Sequence, residues 1–436
     1  MGIYNFISFM GIFLLAGFAW LCSSKRKVVN WRVVGWGIGL QLIFALFIFV
    51  VPAGTKFFLL VNKGVVVVLN SASAGTKFLF GRLALPPGVT NEAGETSLGY
   101  ILAFQALPTI IFFAALVGAL YYLKVMPFLI RGFAYIFTKL MRISGAESLC
   151  ASSNIFVGVE SALIIKPHLA EMTKSELVTV LSAGMGTIAS TVLALYVFFL
   201  QGELPTIAGH LVSASFLSAP AAVVMAKLLV PETETPKTLG VKVKPHYERE
   251  DNLILAIING ANSGLRLLGG IVTLLLAFLG FIALADLILG WLGGYVNSWL
   301  GINFTWSLQS ILGYIFYPFT LILGIPPADA WPIAKIIGER TVATEVVSYQ
   351  HLSQLIAEGK LLYPRSAIIA SYALCGFAHI ASLAIFVGGI GALAPKRLKD
   401  LSRLGFRALL AATLACLMTG AVAGVFFTTG SILFGK

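Results

Sequence analysis

Ser153-Asn154-Ile155-Phe156-Val157-Gly158-Val159-Glu160-Ser161-Ala162-Leu163 decides how this chain is read. An apolar run is broken here by an amide, a glycine, a carboxylate and a hydroxyl. A carboxylate at the centre of a bilayer costs about 2.5–3.5 kcal/mol on insertion scales. The segment between Glu147 and Lys166 is also shorter than the roughly 20 residues a spanning helix needs. Two short helices meeting at a polar tip near Gly158 satisfy both constraints, which makes 145–170 a re-entrant hairpin. Irregular backbone at membrane depth is tolerated only where it faces protein or a wet cavity. The tip is therefore a candidate binding site; the other reading is a helix partner for a buried carboxylate.

The surrounding chain supports a membrane setting. Of 436 residues 58% are hydrophobic and only 11% are charged. Mean hydropathy is +0.93, and several apolar stretches exceed about 18 residues. The fold class is all-α and polytopic. A net charge of +12 could point to nucleic acid, but the basic residues sit in short loops between apolar runs. That is positive-inside patterning, so no nucleic acid is expected and the surrounding partner is membrane lipid. Cys22, Cys150, Cys375 and Cys416 are far apart and suggest neither disulfide nor metal site. The amino-terminal MGIYNF lacks the basic region of a signal peptide, so the first apolar run is expected to remain as a span.

Spans are expected over 4–22 and 33–52, flanking the basic loop Lys25-Arg26-Lys27…Arg32, which would be cytoplasmic. Residues 53–98 are mixed, and the apolar piece 64–70 is too short to cross and would lie at the outer interface. A span covers 99–123. Residues 124–142 read as an amphipathic surface helix. After the hairpin come a span over 176–199, broken at Gly184, Gly186, Thr187 and Ser190, and another over 207–230. Residues 231–251 form a proline-rich cytoplasmic linker. The second half repeats the order. A span covers 267–292, with Asp286 near its outer end as an interfacial residue, and 306–324 is aromatic-rich. A polar-centred hairpin over 330–359 holds Gly338-Glu339-Arg340…Thr344-Glu345. A span over 366–394 is broken at Gly376, His379 and Ser382, and the last lies within 402–432.

The organisation is thus 1–98 as scaffold, 99–230 as a first repeat, 231–262 as linker and lead-in, and 263–436 as a second repeat. Three crossings per unit invert the second copy. About eight transmembrane helices, two hairpins and interfacial helices are expected, with both termini external. Inverted repeats with hairpin tips facing broken helices are the architecture of secondary transporters. Two intramembrane carboxylates beside hydroxyls and aromatic rings suit a neutral ligand with several hydroxyls. Unwound carbonyls and a hydroxyl can hold a small cation. His379 reads either as a satisfied core histidine or as a ligand contact or titrating group. Arg340 reads as the ion-pair partner of Glu339 or as the residue that orients Glu345. Thr187 and Ser190 are site residues or helix-packing small residues. No Walker loop or enzyme signature appears, so neither ATP-driven transport nor catalysis is expected.

At these residues the chain resembles the concentrative nucleoside transporters. GERTVATEVVSY (338–349) is similar to that family's Gly-x-Lys…Asn-Glu-Phe-Val-Ala-Tyr segment. RSAIIASYALCGFAHIASLAIFVGGIGALAPKR (365–397) resembles its Ala-Leu-Cys-Gly-Phe-Ala-Asn signature, and AESLCASSNIFVGVESAL (146–163) its Asn-Ile-Phe-x-Gly-Gln-(Thr/Ser)-Glu tip. The resemblance implies a homotrimer in the cell inner membrane. It implies nucleoside uptake driven by sodium or, alternatively, protons, with a transport domain moving like an elevator and no cofactor beyond the coupling ion. Carried over by position, Glu345 and Ser382 contact ribose, His379 stands where an amide near the ribose is expected, and Phe377 borders the base. Gly158, Val159, Glu160 and Ser161 form the base-reading tip. Asn154, Val157, Thr187 and Ile188 hold sodium.

Three positions depart from the family pattern. Gln-(Thr/Ser)-Glu is Val159-Glu160-Ser161, the amide before the second carboxylate is Thr344, and the asparagine of the later span is His379. These changes point to an altered base or sugar preference, with a C-linked nucleoside such as pseudouridine as one candidate. A symporter for another polar metabolite, an uncoupled permease and a receptor-like binding protein of the same fold remain the alternatives.

Overall fold

The computed structural model describes residues 2–91, 94–158, 160–246 and 250–428. Val159 of the first tip lies outside them. The described residues form helices, joined by turns and two isolated β-bridges. In chain order they are α1 (Ile3–Leu21), α2 (Trp31–Phe49), α3 (Pro52–Phe80), α4 (Leu102–Gln105), α5 (Thr109–Tyr122) and α6 (Val125–Met141). The first hairpin is α7 (Gly145–Ser153), then α8 (Ser161–Ile164) and α9 (Lys166–Leu169). It is followed by α10 (Lys174–Gly186), α11 (Ser190–Leu200), α12 (Ile207–Leu229) and α13 (Leu253–Leu300). The second half continues with α14 (Leu308–Ile322), the hairpin α15 (Pro327–Val342) and α16 (Glu345–Ala357), the broken pair α17 (Pro364–Ala373) and α18 (Ile380–Leu393), and α19 (Leu398–Phe426).

Among the described residues eight stretches are long and apolar enough to cross a membrane, so the chain is a multi-pass membrane protein. The number matches the sequence expectation, but the membership does not. α3 is a single 29-residue helix and replaces the expected interfacial piece at 64–70. The polar residue that interrupts it, Asn62, is buried, donating to Pro205 O at 3.1 Å and accepting from Gly209 N at 3.0 Å at the start of α12. Its lysines stay exposed, where their stems can reach polar surroundings. Conversely, 366–394 is two shorter helices, neither a span by itself.

α13 is 48 residues long, beginning well before the expected 267 and inside the assigned lead-in. At 1.5 Å per residue it runs about 72 Å, more than twice the roughly 30 Å of hydrocarbon, so it must tilt or project. Its buried residues are few: Ala256, Gly264, Leu275 and Gly293. It packs on α5 through Gly260 and Gly264, a small-xxx-small pair. A Cβ on Gly260 would fall 2.6 Å from Ala114 O, and one on Gly264 2.7 Å from the Ala114 Cβ. Backbones come this close only where side chains are missing.

Beside α13 stands a compact body in which α10, α12 and α17 are almost wholly buried, as is α19 from Ala411 to Val425. The first hairpin is anchored to it by two capping boxes. Ser144 caps α7 with Glu147 answering, and Thr173 caps α10 with Glu176 answering. The boxes are tied together, since Ser144 Oγ donates to Glu176 Oε1 at 2.6 Å and Lys227 Nζ lies 2.5 Å from Glu147 Oε1. The linker closes the base of the hairpin, with Gly145 N donating to Thr238 O at 2.9 Å. The amphipathic helix is α6, which buries Met126, Ile130, Phe137 and Met141 at helical spacing. It is bounded by two left-handed residues, Lys124 and Arg142, at φ 62° and 54°.

Candidate functional site

Both broken helices break inside the body. α10 ends at Gly186, and Thr187 to Ala189 run extended before α11. α17 ends at Ala373, and α18 begins after His379. The two breaks touch at Gly376, whose φ is +128°. A Cβ there would lie 2.8 Å from Cys416 Sγ and 2.9 Å from Met185 O, so glycine is needed both for the conformation and for the close approach. The first hairpin meets the first break directly. Ser190 Oγ and Ser190 N both donate to Phe156 O.

Between these tips and breaks lies a cavity of about 650 Å³, including its open mouth. Gly158, Glu160, Thr344, Glu345, Phe377, His379 and Ser382 line it, joined by Thr191 and Phe386 from the body. α13 closes the other side with Leu267, Ile271 and Leu274. The cavity therefore sits between the compact body and the long helix. A second space shares Gly158, Glu160 and Thr191 and continues past Tyr121 and Asn259 towards Glu250 at the end of the linker.

The polar chemistry centres on Glu345, the first residue of α16, where a negative charge is favoured by the helix N-terminus. Tyr196 Oη donates to Glu345 Oε1 at 2.7 Å. His379 is the N-cap of α18, its Nδ1 accepting from Ser382 N at 3.2 Å. A neutral ring whose Nδ1 accepts carries its proton on Nε2. That nitrogen faces Glu345 Oε2 at 2.9 Å and Ser382 Oγ at 2.6 Å. His379 is thus engaged on both sides, one nitrogen capping a helix and the other turned to the carboxylate. Each carboxylate oxygen of Glu345 has a further lone pair beyond those facing Tyr196 and His379, which leaves acceptor capacity beside the cavity. A ligand hydroxyl is the complementary group.

Asn154, Val157, Thr187 and Ile188 are all buried and do not line the cavity. Asn154 Nδ2 donates to Cys150 O at 3.0 Å, while its Oδ1 has no partner among the described residues. Thr187 Oγ1 donates to Ala183 O at 2.9 Å, which uses its hydrogen and leaves its lone pairs. The unpartnered Asn154 Oδ1 and the lone pairs of Thr187 Oγ1 are neutral oxygens of the kind that suit a small hard cation. Ser161 is buried with its Oγ 3.7 Å from Cys150 Sγ, and does not line the cavity.

Two expectations for charged residues are corrected. Glu339 pairs with His351, Nδ1 to Oε2 at 2.7 Å, and not with Arg340. Arg340 does not orient Glu345 either; its Nη1 donates to Ala373 O at 2.6 Å. Asp286 stands where an interfacial residue is expected and accepts from Leu308 N at 2.7 Å at the start of α14. Tyr196 is a site residue that the sequence reading missed. It is fully buried and stacks on Tyr349 with ring centroids 4.4 Å apart. A tyrosine inside the apolar run of α11 was the available signal, since a buried phenol needs a partner.

Comparison with known proteins agrees with this architecture. Residues 210–424 match the model for the "Na+ dependent nucleoside transporter C-terminus", residues 10–83 its N-terminal counterpart, and residues 103–203 a model described as "Nucleoside recognition". The uncharacterized transporter YutK of Bacillus subtilis is 37% identical, over 96% of this chain and 98% of its own. Mouse solute carrier family 28 member 3 is also 37% identical, over 98% of this chain. The present chain spans only about 60% of that protein's length. Among solved structures, CNTnw in an inward-facing substrate-bound state superposes with a TM-score of 0.84 at 34% identity, covering 97% of this chain and 98% of that one. CNTnw in an intermediate state gives 0.86, again at 34% identity, covering 97% and 98%. With relatives matched over nearly their whole length and family models spread along most of the sequence, the chain belongs to the concentrative nucleoside transporter family.

Proposed function

We propose that this protein moves nucleosides across the cell inner membrane by cation symport. The observation that carries this reading is the buried carboxylate of Glu345, which keeps lone pairs beyond those facing Tyr196 and His379, beside Ser382, His379 and Phe377 in one cavity between hairpin tips and broken helices. Glu345 and Ser382 take the ribose hydroxyls, and Phe377 offers an aromatic face to the base. Gly158 and Glu160 border the base edge. Sodium is the co-transported ion, held by Asn154, Thr187 and the backbone of Val157 and Ile188. The names of the matched families and relatives, which refer to sodium and nucleosides, support both assignments.

The transport body carries both hairpins and both breaks, and it slides past α13 as an elevator. A site whose one wall is α13 is opened to either side by such a movement. The exposed apolar length of α13, with Leu276, Phe281, Leu287 and Trp291 outward, is the surface on which three copies associate as a homotrimer. Both termini lie outside. Uptake of radiolabelled nucleosides into proteoliposomes, with sodium and pH gradients imposed separately, tests the proposal. Accumulation against a gradient is expected only with sodium. Simple equilibration would make the protein an uncoupled permease, and competition by non-nucleoside metabolites alone would change the substrate class.

A further inference from the structure

The two broken helices give the body two interior helix ends, and each presents a partial negative charge of about half an elementary unit. α10 ends at Gly186, followed by the buried Thr187, and the first hairpin, which carries the buried Asn154, meets the same break through Phe156 and Ser190. α17 ends at Ala373, and a different solution is visible there. Arg340 reaches across from the second hairpin and its Nη1 donates to Ala373 O at 2.6 Å. Its relative exposure is 0%, and its Nε and Nη2 have no hydrogen-bond partner among the described residues.

Among the described residues that guanidinium has no hydrogen-bonded carboxylate beside it. The adjacent Glu339 is taken by His351 and by Gln309. Glu345 is taken by Tyr196 and faces His379. The other buried arginine on these elements behaves differently. Arg365 uses Nε, Nη1 and Nη2 to bind Gly324 O, Asn5 Oδ1, Tyr4 O, Ser8 Oγ and Gly424 O, which staples α1 to the body. Arg340 makes one bond to oxygen, with the Cys416 thiol beside it, where Arg365 makes five, so stapling does not account for it. A buried cation without a counter-ion is costly, and the field of a helix C-terminus is what offsets it here.

We propose that Arg340 is a resident cation. It neutralises the end of α17 as a mobile cation neutralises the end of α10. One end is filled permanently and the other in each cycle, so each chain carries a single mobile cation per turnover. This rests on the cation-coupled reading above and adds the stoichiometry to it. Arg340 is a positioning residue: it holds the second break in shape and does not touch the substrate.

The test compares wild type, Arg340→Lys, Arg340→Met and Arg340→Gln in proteoliposomes, by sodium activation of nucleoside uptake. Unfolding temperatures of the same proteins in detergent are followed with sodium, lithium or choline. Wild type and Arg340→Lys are expected to give a Hill coefficient of about 1, and the neutral variants one approaching 2, as a second ion takes the vacated place. The neutral variants should also be stabilised by sodium or lithium over choline more than wild type is. If they are transport-inactive, this difference in stabilisation still decides. Neutral variants with wild-type activation curves, or with the wild-type cation shift in unfolding temperature, overturn the proposal. So do two sodium ions bound per wild-type chain. Sodium-independent uptake by wild type would reject the coupling reading alone, because the unfolding series still reports whether Arg340 substitutes for an ion.

Discussion

Replacing Glu345 by glutamine keeps the shape of the side chain and removes its charge. One carboxylate oxygen accepts from Tyr196 at 2.7 Å, and the other faces His379 Nε2 at 2.9 Å. An amide cannot accept at both positions. If its NH2 turns to His379, two donors meet, unless the ring changes tautomer and gives up its cap on Ser382 N. If its NH2 turns to Tyr196, the phenol must reverse. In either arrangement a ligand hydroxyl loses its charged acceptor. Hydrogen bonds to charged groups are worth about 1.5–3 kcal/mol, which is roughly a ten- to hundredfold loss of affinity. Calorimetric titration of purified protein with nucleoside reads this directly, with the Michaelis constant for uptake as a second measure. Tyr196→Phe should lose less, because the carboxylate stays charged. Unchanged nucleoside affinity in Glu345→Gln, or a greater loss in Tyr196→Phe, would refute the contact.

Three further predictions concern other parts of the site and its support. Asn154→Ala should raise the sodium concentration for half-maximal uptake while leaving the variant folded, and uptake that ignores sodium but follows a pH gradient would shift attention to His379. Lys227→Met leaves Glu147 buried without its cation and should destabilise the protein by about 3–5 kcal/mol, read as a fall in unfolding temperature. The double variant Lys227→Met with Glu147→Gln should recover part of that loss, and strict additivity would mean the pair is not coupled. At the first tip, Glu160 is acceptor-only when ionised, so nucleosides with more donors on the base edge should bind better, pseudouridine among them. Val159→Gln, Glu160→Thr and Ser161→Glu together should shift preference towards uridine, and an unchanged ranking of inhibition constants would remove the tip from base recognition.

The interruptions of apolar runs were legible because polar groups at membrane depth are rare and costly. They located both hairpins and both breaks within a few residues. Element lengths were less legible, for a physical reason that α13 illustrates. Arg266 suggests a boundary, yet its side chain is exposed, and a long basic side chain can lie along a helix surface without ending it. No proline falls between Leu253 and Leu300, so nothing in that stretch forces a stop. α3 was misread for the related reason that Lys56, Lys63 and Lys77 make 53–98 look mixed, although all three side chains are exposed and do not end the helix.

Pairings across long sequence distances explain what stayed hidden in the site. Glu345 could be picked out as an isolated carboxylate, but Tyr196 lies 149 residues away and was one phenol among apolar neighbours. Arg340 had carboxylates nearby in sequence at 339 and 345, and nearness in sequence favoured them. On α15, however, Arg340 and Glu339 are adjacent residues, and adjacent helical side chains do not share a face. Glu345 lies beyond the break at Ala343 and is already engaged by Tyr196. The arginine is therefore free to reach the carbonyl of Ala373 at the end of α17. The same geometry that denies Arg340 an acidic partner places its charge at the end of α17.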